Sequence, residues 1–179
     1  MAVESIMETV MNFDVSHVVV TGGEPMLPKD IVTLTQSMAK SGLHITIETA
    51  GTIYRPVQCD LMSISPKMSN SVPSLERAGA WAVRHDQTRQ SRNVVNQLIN
   101  KYDYQLKFVV NGIRDIEEIE AYCEDLDNVE QNKILLMPEG VDEKLLREKE
   151  QWLVPICEAK GYTYCPRMHI TWYGNKRGT

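Results

Sequence analysis

The chain has no cysteines close enough together to act as a metal-binding or redox unit. Cys59, Cys123, Cys157 and Cys165 are separated by 63, 33 and 7 intervening residues, so neither CxxC nor CxxxCxxC occurs. That excludes a zinc ribbon and a self-contained iron–sulfur site, and the four read as free, buried thiols of a reducing compartment. There is no apolar run near the ~18–20 residues a membrane helix needs, and the acidic, amphipathic opening is no signal peptide. The expectation is a cytoplasmic protein that does not touch the membrane. There is also no basic face: the formal net charge is -5, acidic residues gather at 115–130 and 142–150, and the only basic cluster is Lys176-Arg177. A nucleic-acid partner is therefore not expected. Repeats and low-complexity linkers are absent too. With 179 residues, 42% of them hydrophobic and 24% charged, the chain is expected to be one globular domain, 1–179, large enough to bury a core.

What is present alternates. Val3, Ile6, Met7, Val10 and Met11 recur at helical spacing, and Val18-Val19-Val20 then reads as a buried, parallel strand. A helix follows at 29–41, with Ile31, Leu34 and Met38 as its buried face and Gly42 suited to end it. Strands are expected at 44–48 and 61–65, the second stopped by Pro66, which has no N–H for a ladder. Residues 67–90 read as a long loop with a short helical stretch near 75–83. Then come a helix at 93–100, a strand at 105–110, a helix at 116–125 capped by Asp115, a strand at 134–137, a helix at 142–160 stopped by Gly161, a strand at 162–165 and a tail. Strand followed by helix throughout predicts the α/β class: an incomplete (β/α) barrel of mostly parallel strands with right-handed crossovers.

Chemistry-bearing residues fall at the ends of these strands: Thr21-Gly22-Gly23-Glu24-Pro25, Glu48-Thr49, Ser65-Pro66-Lys67 and Pro138-Glu139-Gly140. In a barrel those ends open on one face, where such folds bind ligands. Glycines after a strand permit unusual backbone angles and leave bare amides for a ligand. The plain alternatives are a solvated turn at Glu24, a turn cap at Glu48, a solvated Lys67 and a packing role for His169.

The ordered set Thr21-Gly22-Gly23-Glu24-Pro25, Glu48-Thr49-x-Gly51-Thr52, Ser65-Pro66-Lys67, Gln105-Leu106-Lys107-Phe108-Val109 and the tail His169 with Gly174-Asn175-Lys176-Arg177-Gly178 resembles the radical S-adenosylmethionine superfamily. Within it the set is similar to the 7-carboxy-7-deazaguanine synthases. The resemblance implies a homodimer that converts 6-carboxy-5,6,7,8-tetrahydropterin into 7-carboxy-7-deazaguanine, in queuosine and related deazapurine biosynthesis. A 4Fe-4S cluster, Mg2+ and a reductant such as flavodoxin would serve it, with a 5′-deoxyadenosyl radical taking hydrogen before ring contraction and loss of ammonia. It further implies that Gly22, Gly23 and Glu24 hold the methionine part of S-adenosylmethionine, with Glu24 accepting from its ammonium. Ser65, Pro66 and Lys67 form a second cofactor segment, and Met137, Pro138, Glu139 and Gly140 lie on the adenine side. Thr21, Glu48 and His169 face the pterin.

The sequence departs from that family at one point. The first strand of the family's barrel and the loop after it, with the cysteine triad that holds the cluster, have no counterpart expected here, so no metal ligand is assigned and no catalytic residue is named. The chain is expected to be inactive alone, as part of a larger synthase. The alternative is a cluster-free, non-catalytic relative binding a pterin or nucleoside on the same scaffold. A phosphate loop at Gly22-Gly23 is weaker still, for the Lys-Ser/Thr ending is missing.

Overall fold

A computed structural model describes residues 2–71 and 91–176. The expected helical stretch at 75–83, and Arg177 and Gly178 of the tail, lie outside the described residues.

Strand order follows chain order, β1-β2-β3-β4-β5-β6, in one six-stranded sheet whose ladders run parallel. The chain divides into two compact units. The first holds Met1–Ser65 and Gln90–Gln105, the second Pro66–Arg89 and Leu106–Thr179.

The first unit opens with helix α1 (Val3–Met11) and strand β1 (His17–Val20). Helix α2 (Ile31–Lys40) buries Ile31, Leu34, Thr35 and Met38, the 3–4 spacing read from the sequence. Gly42 follows at φ +77°, the left-handed turn that lets the chain reverse into β2 (His44–Thr49). β2 aligns Glu48 with Ser63 of β3 (Leu61–Ile64). Helix α3 (Arg92–Lys101) covers this sheet with Val95, Leu98 and Ile99. One expectation fails here. Val18–Val20 is not a buried strand, since Val19 is 59% exposed and Val18 and Val20 are half-buried. β1 pairs with β2 and with no second strand among the described residues, so β-branched composition alone did not bury it.

β4 (Tyr104–Val110) carries the chain from the first unit into the second. Helix α4 (Ile113–Glu124) buries Ile116, Ile119 and Tyr122, and Tyr122 meets Phe108 edge-on with ring centroids 6.0 Å apart. It begins three residues earlier than the sequence predicts, and Asp115 is not its N-cap. Gly112 holds that position, and Asp115 Oδ2 reaches back to accept from the N–H groups of Asn111 at 2.6 Å and Gly112 at 3.1 Å. The acid at N3 has captured the free amides ahead of it, so one extra turn forms. β5 (Ile134–Pro138) precedes α5 (Glu143–Lys160), capped by Asp142, which accepts from Leu145 N–H at 3.0 Å, and closed by Gly161 at φ +70°. β6 shrinks to Thr163–Tyr164. The tail, read from sequence without structure, forms a short helix, α6 (Met168–Tyr173), seated by buried Ile170, while Trp172 is 65% exposed.

Candidate functional site

The site grows from the exits of β1, β2 and β3 in the first unit. After Val20, Gly22 takes φ +143°, and a Cβ built on either Gly22 or Gly23 would meet nothing within 4 Å. The glycine turn is therefore open, with its backbone reachable. Glu24 turns back beneath it. Its Oε1 accepts from Thr49 Oγ1 at 2.7 Å and Met26 N–H at 3.1 Å, and its Oε2 accepts from Ala50 N–H at 2.9 Å. Glu24 is half-buried and is no solvated turn residue. A carboxylate offers about four acceptor positions, and the described residues take three of them, leaving one on Oε2.

Thr49 relays the brace. Its hydroxyl accepts from Gly51 N–H at 3.0 Å and its carbonyl from Ser65 N–H at 2.7 Å, which ties the exits of β2 and β3 together. Gly51 cannot be anything larger: it has φ +72°, and an added Cβ would stand 2.8 Å from Ile64 Cγ2 and from Val95 Cγ2. Arg55 fastens the far side, with Nε to Met26 O at 2.7 Å and Nη2 to Leu27 O at 2.9 Å.

A polar row crosses one face of the sheet. Thr21 Oγ1 donates to Glu48 Oε2 at 3.2 Å, Glu48 stands in register with Ser63, and Gln105 Nε2 donates to Ser63 Oγ at 2.9 Å. Alternation produces this, for Ile45, Ile47 and Thr49 are buried on the opposite face and Thr46 and Glu48 belong to this one. Such a row sets donors and acceptors side by side, an arrangement suited to the edge of a planar heterocycle. Glu48 is thus tied to Thr21 across strands.

In the second unit, Pro66 is buried and Lys67 half-buried. Met137, Pro138, Glu139 and Gly140 form the exit of β5, with Gly140 at φ +140°. Lys149 Nζ donates there to Glu139 O at 2.6 Å, Asn111 Oδ1 at 2.8 Å and Glu139 Oε2 at 3.4 Å, and Arg167 Nη1 donates to Gly140 O at 2.5 Å. A cavity of about 460 Å³ lined by Asn111, Glu139, Gly140, Leu145, Glu148, Lys149 and Trp152 adjoins this turn. His169 lies on α6, exposed.

The chain was compared with known proteins. No protein-family profile matches it. A 7-carboxy-7-deazaguanine synthase from Rhodopirellula baltica is 39% identical over 178 residues, 99% of this chain and 69% of that protein. The namesake from Halobacterium salinarum is 38% identical over 95% of this chain and 70% of its own length. The chain belongs to the 7-carboxy-7-deazaguanine synthase family. Among solved structures, QueE from Escherichia coli superposes with a TM-score of 0.63 at 23% identity, over 93% of this chain and 64% of that one. SuiB from Streptococcus suis bound to S-adenosylmethionine gives 0.58 at 12% identity, over 96% and 47%. These likenesses show the fold, the incomplete parallel (β/α) barrel expected from the sequence. Kinship with named synthases favours the synthase family over a non-catalytic relative.

The resemblance implies a cluster, and the thiols among the described residues do not fit one. Among the described residues no three His, Cys, Asp or Glu side chains gather to hold a metal. Burial, with Asp60 and Glu120 adding to it respectively, pushes the Cys59 and Cys123 thiols up to about 12, and burial raises Cys157 as well. These are protonated thiols, the opposite of cluster-ligating thiolates.

The structure brings Thr21, Gly22, Gly23, Glu24 and Glu48, singled out from the sequence, to the strand exits of the first unit, while Ser63, Arg55, Lys149 and Arg167 were not singled out. Ser63 had a signal, a serine alternating within an apolar strand. The others had none, because each acts across a long sequence gap. Among the described residues no helix is long and apolar enough to cross a membrane.

Proposed function

We propose that this chain forms the cofactor- and pterin-binding part of a 7-carboxy-7-deazaguanine synthase. The whole reaction turns 6-carboxy-5,6,7,8-tetrahydropterin into 7-carboxy-7-deazaguanine with loss of ammonia, a carbon–nitrogen lyase chemistry. The observation that carries this reading is the polar row Thr21–Glu48–Ser63–Gln105 beside the open Gly22-Gly23 turn.

Glu48 accepts from the donor-rich aminopyrimidinone edge of the pterin, and Thr21 fixes the carboxylate's rotation by donating to Oε2. Ser63 and Gln105 continue the same edge and discriminate against rings lacking matching groups, since an unmatched buried donor or acceptor costs ~1–3 kcal/mol. On the family resemblance alone, His169 is proposed as a further pterin residue. Carbonyls of Gly22 and Gly23 and the remaining acceptor position of Glu24 receive the ammonium of S-adenosylmethionine. On the family resemblance alone, Ser65, Pro66 and Lys67 and Met137, Pro138, Glu139 and Gly140 are proposed as nucleoside residues. When bound, that cofactor supplies hydrogen abstraction from the substrate. No residue of this chain is assigned to the cluster or to Mg2+, and residues 1–179 alone are proposed to be inactive. The whole protein is proposed to act in the cytoplasm as a homodimer, with a small reductant protein such as flavodoxin.

The test is calorimetric titration of the chain with pterin-6-carboxylate and, separately, S-adenosylhomocysteine. Both bind, and Glu48→Gln weakens the pterin at least tenfold (~1.4 kcal/mol) while sparing the nucleoside. Failure of the wild-type chain to bind either probe, or a Glu48→Gln chain binding the pterin undiminished, ends the proposal.

A further inference from the structure

The chain contains a single Asn-Gly pair, Asn111-Gly112, at the junction of β4 and α4. Such a pair is chemically labile, because a residue without a Cβ lets its own nitrogen approach the preceding side-chain amide. The structure holds the reacting groups in defined places. Asn111 Oδ1 accepts from Lys149 Nζ at 2.8 Å, and the Gly112 N–H donates to Asp115 Oδ2 at 3.1 Å. The same carboxylate oxygen accepts from Asn111 N–H at 2.6 Å and from Asn70 Nδ2 at 3.0 Å. Asn111 itself is exposed, so water has a path in and ammonia a path out.

The reaction balances without oxidant or reductant. Gly112 N bonds to Asn111 Cγ, the Cγ–Nδ2 bond breaks, and Nδ2 leaves as ammonia with the proton shed by Gly112 N. The ring that remains is a succinimide. Water opens it at either carbonyl, to aspartate or to isoaspartate, whose backbone runs through Cβ. For attack, Cγ must come within about 3–3.5 Å of the nitrogen, over the face of its peptide. Two anchors oppose that swing. Lys149, only 18% exposed, fixes the side-chain oxygen from α5. Asp115 fixes the peptide plane, because the first turn of α4 closes on its carboxylate. A negative charge beside Gly112 N also disfavours loss of the proton that attack requires.

We propose that Asn111 is a modification site, a succinimide-forming asparagine restrained by the Asp115 clamp, which reacts when the first turn of α4 opens. The products change the junction. A succinimide has no N–H for Asp115 to hold, isoaspartate inserts a methylene into the backbone between β4 and α4, and aspartate sets a carboxylate against Lys149. That ammonium also serves Glu139 O at 2.6 Å, so the new charge competes for it with the turn leaving β5.

Ageing the chain at physiological temperature and neutral pH tests this, read by peptide mass spectrometry and by isoaspartyl methyltransferase labelling. The folded wild type gains acid at 111 slowly, and the urea-unfolded chain, freed of both anchors, gains it faster. Asp115→Ala reacts about fivefold faster than wild type, the opening factor expected from losing one cap. Should that variant unfold, Asp115→Asn, which keeps an acceptor but no charge, carries the same comparison and also outpaces wild type. Gly112→Ala blocks the reaction and keeps the fold, because Gly112 has extended backbone at φ -152° and a Cβ there meets nothing within 4 Å. A folded Asp115 variant no faster than wild type overturns the clamp, and a slower one shows Asp115 taking the proton, which overturns it equally. No product at 111 in the unfolded chain, or product that persists in unfolded Gly112→Ala at the wild-type rate, overturns the site itself.

Discussion

Glu24 is the most instructive residue to perturb, because it both braces the chain and faces the open turn. Glu24→Gln keeps shape and removes charge. The amide retains one oxygen, which still receives Thr49 Oγ1 and Met26 N–H, but its NH2 replaces Oε2 and confronts the donor Ala50 N–H. One charge-assisted bond, ~1.5–3 kcal/mol, is lost, and two others become neutral bonds at roughly half strength. Glu24 is half-buried and water reaches part of the turn, so the net destabilisation is about 2–3 kcal/mol. For a chain of this size that lowers the melting midpoint by roughly 4–12 °C. Urea denaturation of the wild type, Glu24→Gln, Thr49→Val and the double variant measures it. The double-variant cycle should give a Glu24–Thr49 coupling of at least ~1 kcal/mol. Additive variants, or a Glu24→Gln chain within ~0.5 kcal/mol of wild type, would show that Glu24 is held for a ligand alone and that the brace is not energetic.

Gly51→Ala should cost about 2–4 kcal/mol in the same assay, since its Cβ meets two Cγ2 methyls at 2.8 Å in a left-handed conformation; a loss below 1 kcal/mol would mean that Ile64 and Val95 yield freely. Asp115→Ala should cost about 1 kcal/mol and fray α4 from its first turn, read by amide exchange at 113–116; unchanged protection there contradicts the capping box. Cys59 and Cys123 titrate near 12 when folded against an ordinary 9.0. The folded state therefore holds more protons than the unfolded one above pH 9, and stability is full below that pH and falls as pH rises toward 12. Urea midpoints between pH 8 and 11 check this, and a flat profile refutes it. Anaerobic incubation with iron and sulfide should leave residues 1–179 without a stable cluster chromophore, because no three thiols converge among the described residues; a stable brown species would show thiols regrouping on the metal.

Local pattern carried much of this molecule. Helical spacing at Ile31, Leu34 and Met38 placed α2, Gly42 and Gly161 stopped two helices, and strand–helix alternation gave the α/β class. Those signals are readable because each is decided by neighbours within a turn or two. The glycines and carboxylates after strands likewise announced the candidate site, since strand exits are where such folds expose backbone.

What the sequence left undecided was partnership. The triple valine of β1 reads as buried, but burial depends on what lies beside a strand, and β1 has a neighbour on one edge only among the described residues. Glu24 meets Thr49 and Ala50 across 25 and 26 positions, Gln105 meets Ser63 across 42, and Arg167 meets Gly140 across 27, all contacts made in the tertiary structure. No local window contains both members of any of these pairs. Composition and periodicity therefore settled which residues stand at strand exits, while the parallel crossovers, returning each strand beside the last, decided which of them touch.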